Sequence, residues 1–114
     1  MSNPGSIPAA QALLLVDLIA PVAHGIASRV LAKAAGGNVT LFAFDSGEGL
    51  SEHTAPFDAL VVVLSGSLTL TIGGQAVQAE AGTIVRMPAH IPHAVDATAP
   101  SRMLLIMLRE PAAG

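Results

Sequence analysis

Hydrophobic positions recur along the chain in short blocks that have the period of two typical of β-strands. The clearest alternation is Leu68-Thr-Leu-Thr-Ile72, and the Gly73-Gly74 pair that follows it is a two-residue hairpin signal. Residues 59–64 form a continuous apolar run between turn signals, as expected of a strand that is buried on both faces. These patterns predict a protein built from antiparallel strands.

The same reasoning, applied to the whole chain, predicts about eight short strands with a turn at each junction. The predicted strands are residues 26–33, 39–44, 59–64, 68–72, 75–79, 83–87, 93–97 and 101–109. A series of short strands of this kind indicates an all-β sandwich or barrel.

The N-terminal region has a different pattern. Residues 1–7 are mostly small and polar, so we expect a loose arm. Pro8 suits the first position of a helix over residues 9–19, and Pro21 bars its continuation. The apolar residues of this segment form no single stripe, so the helix would be buried or packed at an interface, although an edge strand also fits. We therefore expect an arm and short helix (1–23), a barrel (24–109) and a tail (110–114).

The most specific pattern lies in two segments between residues 47 and 97. They read Gly47-Glu-Gly-Leu-Ser-Glu-His53-Thr-Ala55-Pro-Phe-Asp-Ala59-Leu-Val-Val-Val-Leu-Ser-Gly66 and Gly82-Thr-Ile-Val-Arg-Met-Pro88-Ala-His90-Ile-Pro-His93-Ala-Val-Asp-Ala97. The chain here resembles the cupin superfamily, whose motifs are G-x5-H-x-H-x3,4-E-x6-G and G-x5-P-x-G-x2-H-x3-N. The positions in register are Gly47, His53, Gly66, Gly82, Pro88 and His93. The resemblance covers roughly residues 24–109 and implies a double-stranded β-helix, the jelly roll of the cupin barrel.

The departures from the motifs affect the metal site that the resemblance implies. Cupin sites use three histidines and a carboxylate that face into the barrel, a set that suits Mn, Fe, Ni or Zn. Ala55 and Ala59 replace the second histidine and the glutamate, His90 replaces the glycine, and Ala97 replaces the asparagine. Residues 53, 55, 57 and 59 share one face of an extended strand, so these positions still point inward, but the alanines have no donor atoms.

The remaining histidines allow more than one interpretation. We expect His53 and His93 to face the interior, where they either bind a divalent transition metal with water or form a buried neutral pair. His90 either occupies a turn with positive φ, as the motif glycine would, or turns inward as a third metal ligand. His24 is expected at the surface or an interface. Asp58 is one residue from the vacant carboxylate position and should face the other side of the sheet, unless a bulge at Pro56 turns it inward as a donor.

A small barrel can also hold one small ligand against an apolar wall. The candidates for that wall, with ordinary core packing as the alternative, are Phe42, Phe44, Phe57, Met87, Met103 and Met107. A pocket with two histidines and such a wall would favour a small, mostly apolar molecule with one or two polar atoms.

Composition limits the partners of the chain. Its 114 residues suit one domain. Only 11% of the residues are charged and 52% are hydrophobic, and this composition favours a homodimer that hides apolar surface. The alternative is that an alanine-rich sequence alone gives these values. A net charge of −3 with five Lys and Arg argues against nucleic acid. The chain has no cysteine and no signal-peptide pattern, and its N-terminal apolar run is too short to span a membrane, so a cytoplasmic protein is expected.

Two functional hypotheses follow from these residues, beside a third in which the chain is a structural dimer partner that works with another protein and its pocket is missing or filled. In the first, His53 and His93 hold a metal in an apolar pocket, and the resemblance implies oxygenase or isomerase chemistry on a small organic molecule. In the second, the same pocket holds a small ligand without metal, as a non-catalytic binding or sensing module. The loss of two ligands favours the second hypothesis, and the presence of both histidines favours the first, so the sequence leaves catalysis undecided.

Overall fold

A computed structural model describes residues 7–109, so the expectations for residues 1–6 and for the tail over 110–114 lie outside the described residues. The described chain contains nine strands and one 3₁₀ turn over Leu15–Asp17. The strands are β1 (Ile26–Ala34), β2 (Gly37–Phe44), β3 (Gly49–His53), β4 (Asp58–Ser65), β5 (Ser67–Ile72), β6 (Gln75–Glu80), β7 (Ile84–Met87), β8 (His93–Ala97) and β9 (Ser101–Leu108).

The strands form two antiparallel sheets that enclose one core. The five-stranded sheet has the order β1-β2-β9-β4-β7, and the four-stranded sheet has the order β3-β8-β5-β6. Side chains from the inner faces of both sheets meet between them, and the most buried are Phe44, Val61, Val63, Leu68, Leu70, Val95 and Met103, each less than 2% exposed. The all-β jelly roll predicted from the sequence is therefore confirmed.

The glycines of the two motifs occupy turns that require positive φ. Gly47, Gly66 and Gly82 have φ of 86°, 79° and 89°. His90, which replaces a motif glycine, has φ of 66°, so the turn interpretation of this residue is confirmed.

The turn at Gly66 also needs glycine because the backbone there meets a buried serine. A Cβ at this position would collide with the Ser101 side chain and the Pro100 carbonyl oxygen. Ser101 is fully buried, and its hydroxyl accepts a hydrogen bond from the Ser67 N–H (3.0 Å) and donates one to the Ala99 carbonyl (2.7 Å). This serine ties β5 to the start of β9.

The short N-terminal helix is confirmed only as the 3₁₀ turn over Leu15–Asp17, and the α-helix predicted over residues 9–19 does not form. A helix with apolar residues on several sides would need to be buried, and residues 9–17 are exposed instead. The segment instead follows the outer face of the five-stranded sheet, where side chains from two strands bind its backbone. Arg29 of β1 donates to the Leu18 carbonyl (3.3 Å), and Arg102 of β9 donates to the Ile19 carbonyl (2.8 Å).

Strand β4 is buried on one face only, whereas the sequence predicted burial on both. Ala59, Val61 and Val63 point into the core and are buried. Leu60 and Val62 point to the outer face of the sheet and are only half-buried. Strand β3 was not predicted, because Ser51 and Glu52 interrupt any apolar alternation.

In residues 7–109, no helix is both long and apolar enough to cross a membrane.

Candidate functional site

The site is centred on two histidines that the sheet brings together. His53 ends β3 and His93 begins β8, and the two residues are cross-strand partners in the four-stranded sheet. Their Nε2 atoms lie 3.1 Å apart, and the ring planes meet at 71° with centroids 4.4 Å apart. His93 is buried, whereas His53 is exposed at the mouth of the barrel. The pair can thus be reached from solvent through His53.

Each ring is held by a carbonyl two residues earlier in the chain. Nδ1 of His53 donates to the Ser51 carbonyl (2.9 Å), and Nδ1 of His93 donates to the Ile91 carbonyl (3.2 Å). A carbonyl oxygen only accepts hydrogen bonds, so both rings carry their hydrogen on Nδ1. In the neutral rings, both Nε2 atoms therefore present lone pairs to each other.

This arrangement leaves no hydrogen for a bond between two neutral rings. A hydrogen bond between the Nε2 atoms would require one ring to be an imidazolium cation. The pKa of His93 lies below its ordinary value of 6.5, mainly because the ring is buried. The hydrogen bond to the Ile91 carbonyl raises this pKa, and charge on His53 lowers it. His93 is therefore neutral at neutral pH, with a free lone pair at Nε2.

The pair lies at the edge of a small apolar cavity inside the barrel. Its volume is about 40 Å³, which is room for about two or three water molecules and too little for most organic ligands. Its wall consists of Leu50, His53, Ala55, Phe57, Ala59, Met87, His93, Val95, Met103, Leu105 and Met107. Residues 53, 55, 57 and 59 do line one space, as expected, although His53 and Ala59 belong to different strands.

Of the predicted wall residues, Phe57, Met87, Met103 and Met107 contact this cavity, and Phe42 and Phe44 do not. The two phenylalanine rings stack on each other with centroids 6.0 Å apart, and Phe44 is fully buried in the core. The sequence reasoning missed Leu50, Val95 and Leu105 as wall residues. Alternation along β8 and β9 could have indicated Val95 and Leu105, because they share a face with His93 and Met103.

The structure does not bring a third ligand to the pair. Within residues 7–109, no group of three or more His, Cys, Asp and Glu side chains could hold a metal ion. His90 is exposed and lines a different space from the pair. Asp58 faces away from the cavity, where its Oδ2 accepts from Arg86 (3.0 Å) and its Oδ1 accepts from the Ala89 N–H (2.8 Å). Both bonds lower the pKa of Asp58, and the bond from the Ala89 N–H has the larger effect.

A larger groove lies outside the mouth of the barrel. It is open to solvent, has a volume of about 920 Å³, and is lined by Pro56, Phe57, Asp58, Ala89, His90, Leu108 and Arg109. Phe57 borders both the groove and the inner cavity. The Arg109 guanidinium lies over the Phe57 ring, 5.3 Å from its centroid. Phe57 therefore separates a space large enough for an organic molecule from the two histidines, and Arg109 lies on its groove side.

Comparison with known proteins agrees with this architecture. The cupin domain family model matches residues 40–108. A conserved protein of unknown function from Streptococcus pyogenes is 32% identical, with a TM-score of 0.90 and coverage of 98% of both chains. A cupin superfamily protein from Desulfitobacterium hafniense is 28% identical, with a TM-score of 0.86 and coverage of 92% of this chain and 96% of its own.

A more distant solved structure shares the fold alone. Salicylate 1,2-dioxygenase from Pseudoaminobacter salicylatoxidans is 14% identical, with a TM-score of 0.69, and the match covers 78% of this chain and 26% of that enzyme. Among curated proteins, none is significantly similar to the chain. The matched family model spans more than half of the sequence and contains the histidine pair, and the chain therefore belongs to the cupin family.

Proposed function

We propose that His53 and His93 bind a divalent transition metal (Zn, Ni, Fe or Mn) through their Nε2 atoms, and that the domain uses this site on a small organic molecule held in the outer groove. The observation that carries the proposal is the pair of converging lone pairs 3.1 Å apart. Metal–nitrogen bonds of about 2.0–2.1 Å from two imidazoles can meet at one ion across this separation. The residues present thus fit half of a metal coordination shell.

The surrounding residues support that role in three ways. The Ser51 and Ile91 carbonyls fix the tautomer and orientation of both rings, as outer partners of metal-binding histidines do. The low pKa of His93 keeps its ring neutral and able to coordinate. Methionine and aliphatic side chains restrict water on the inner side of the pair.

The missing ligands set the strength of the site. Ala55 and Ala59 line the cavity without donor atoms, so the remaining coordination positions fall to water or substrate. Two imidazoles without a carboxylate give weaker binding than a complete set, because no negative charge neutralises the ion. A bound metal would supply Lewis-acid chemistry, or redox chemistry in the case of iron or manganese. Oxygenase or isomerase chemistry is therefore the class that we propose.

The organic molecule would lie in the outer groove, since the inner cavity is too small for it. Phe57 offers an aromatic surface there, and Arg109 offers a cation, whereas Arg86 is already paired with Asp58. These groups suit a compact molecule with an apolar body and an anionic or strongly polar group. Such a molecule could reach His53 past the edge of Phe57.

A second function is favoured by the two alanines. With no third ligand among the described residues, the domain could serve as a metal-free binding or sensing module. In that case, the two Nε2 lone pairs accept hydrogen bonds from a ligand donor, and this donor takes the place of the metal.

Metal-induced thermal stabilisation distinguishes the two functions. We expect Zn²⁺ or Ni²⁺ to raise the unfolding temperature of the wild-type protein, and His53→Ala and His93→Ala to lose this rise by similar amounts. His90→Ala is the matched control, because this histidine lines only the groove and should retain the full response. An equal response in all four proteins would remove the pair as the metal site. No response in any of them would favour the metal-free module.

A further inference from the structure

Methionine is a second kind of donor side chain in the wall of the inner cavity. Among the described residues that form this wall, the side chains with lone pairs to offer a metal are those of His53, His93, Met87, Met103 and Met107. The other wall residues are Ala, Leu, Val and Phe, and none of them is a carboxylate. The wall therefore combines imidazole nitrogens with thioether sulfurs, and it carries no charge while both rings are neutral.

Two of the methionines flank the position at which the cupin motif has its carboxylate. Ala59 on β4 pairs with Met87 on β7 and with Met107 on β9, so one methionine lies on each side of it in the five-stranded sheet. Directly opposed residues of antiparallel strands project from the same face, with Cβ atoms about 4.5–5.5 Å apart. Methionine is long and flexible enough to reach over an alanine at this distance. The space that a glutamate at residue 59 would fill is thus bounded by two thioethers.

The separation of the histidine nitrogens leaves coordination positions open for these sulfurs. An ion that two imidazoles bind in a straight line needs the two nitrogens about 4 Å apart, which is twice a bond of about 2.0 Å. The Nε2 atoms of His53 and His93 are only 3.1 Å apart, so an ion bound to both lies to one side of the line that joins them. Such a bent arrangement accepts further ligands, and the cavity with its methionines lies beside the pair.

This set of donors selects a soft ion of low charge. Thioether sulfur is a soft ligand that favours Cu(I), and imidazole also suits copper. The Born cost of burying an ion rises with the square of its charge, so a divalent ion costs about four times as much as a monovalent ion in an apolar wall that offers no carboxylate. Both the softness of the ligands and the absence of negative charge therefore favour the same ion.

We propose that the site binds Cu(I) through Nε2 of His53 and of His93 and through the thioether sulfurs of Met87 and Met107. The inference rests on the proposed function, because it needs the histidine pair as a metal site, and it adds two ligands and a preference among ions. The two methionines take the place of the carboxylate that Ala59 does not provide. Divalent ions use the histidine pair without the sulfurs, so they bind more weakly than Cu(I).

Anaerobic competition with the Cu(I) chelator bathocuproine disulfonate measures the affinity of the full chain, with Cu(I) supplied as tetrakis(acetonitrile)copper(I). Met87→Leu, Met107→Leu and the double variant remove the sulfurs but nearly keep the volume of the core, so they should fold, as circular dichroism can verify. Met103→Leu is the matched control. Met103 also lines the cavity, but it pairs with Val63, four residues along β4 from Ala59. Zn²⁺-induced thermal stabilisation is recorded for every variant.

We expect one Cu(I) per wild-type chain and a dissociation constant that rises about 10-fold in each single variant at Met87 or Met107 and about 100-fold in the double variant. Met103→Leu should change it by less than about 3-fold. The response to Zn²⁺ should be the same in all of these proteins, because only Cu(I) uses the sulfurs. His53→Ala should lose both the Cu(I) binding and the Zn²⁺ response.

An unchanged Cu(I) affinity in the double variant would overturn the proposal. An equal loss of the Cu(I) and Zn²⁺ responses in that variant would also overturn it, because the methionines would then act only by packing. A wild-type protein that responds to Zn²⁺ but does not bind Cu(I) would overturn it as well, and would leave the proposed function of the histidine pair standing. A wild-type protein that responds to neither ion would overturn both.

Discussion

Replacement of Met103 by alanine tests how closely the histidine pair is linked to the packing of the core. Met103 lies on β9, is fully buried, and forms part of the inner cavity wall next to the pair. Its side chain also belongs to the buried cluster that contains Phe44, and Met103 is paired with Phe42 of β2. Met103→Ala should therefore lower stability and enlarge the cavity together.

The magnitude follows from burial and void volume. Loss of a fully buried methionine side chain costs roughly 2 kcal/mol in transfer free energy. Unless neighbouring side chains relax, the deletion adds roughly 60 Å³ of void, which costs about 1.5 kcal/mol at ~24 cal/mol per Å³. The total of roughly 3–4 kcal/mol corresponds to a decrease of about 12–16 °C in unfolding temperature for a domain of this size.

Urea denaturation and thermal unfolding measure this loss, at fixed protein concentration because association would shift both. Leu108→Ala is the matched control, since this residue is on the same strand, is 48% exposed and should lose less than about 1 kcal/mol. The enlarged cavity should also bind xenon, so that xenon pressure stabilises Met103→Ala and leaves the control unchanged. A loss below 1 kcal/mol in Met103→Ala, with no response to xenon, would refute the described packing.

Three further predictions concern single groups. Ser101→Ala removes the buried hydroxyl that accepts from the half-buried Ser67 N–H and should cost about 1–3 kcal/mol in urea denaturation, whereas the exposed Ser46→Ala should change stability by less than about 0.5 kcal/mol. Gly66→Ala combines φ of 79° with a collision and should cost more than about 2 kcal/mol; a neutral effect would contradict the close approach. Because the pKa of His93 is lowered in the folded state, the unfolded chain binds more protons below about pH 6.5, so stability should fall as pH decreases through that region. A pH series of unfolding temperatures should be flatter in His93→Gln, and an unchanged slope would contradict the assignment.

The sequence predicted those features of the fold that local chemistry determines. Alternation and turn residues located eight of the strands, and the motif glycines marked turns that do require positive φ. His90 could be placed in such a turn because few other residue types tolerate the left-handed conformation. The prediction of an α-helix over residues 9–19 was wrong because tertiary contacts position that segment: the Arg29 and Arg102 side chains bind the carbonyls of Leu18 and Ile19 and hold the segment against the sheet.

The candidate site was predicted only as far as spacing allows. The register of the two motifs indicated that His53 and His93 would meet, but not that both Nδ1 atoms would donate to carbonyls. That detail depends on the local path of the chain at Ser51 and Ile91, which no spacing encodes. Similarly, Phe42 was expected on the cavity wall, whereas it stacks on Phe44 instead, because the two share a strand face farther from the barrel mouth.

The arrangement of the site separates two tasks in space. The inner cavity is too small for most organic ligands and contains the two imidazole lone pairs, whereas the outer groove is large and contains Arg109. Phe57 borders both spaces, so its replacement by alanine should open one to the other. In our proposal, the chemistry of the metal and the recognition of the organic molecule are adjacent and not superimposed.

Elemental analysis of untagged protein, purified without chelators and without a nickel column, tests the central claim most directly. We predict about one transition metal ion per chain, either in the protein as purified or after it has been loaded with metal. The His53→Ala variant, prepared in the same way, should contain none. His90→Ala should keep the metal of the wild-type protein. Wild-type protein that is free of metal and cannot be loaded would contradict the claim, and the two lone pairs would then have to be satisfied by a ligand.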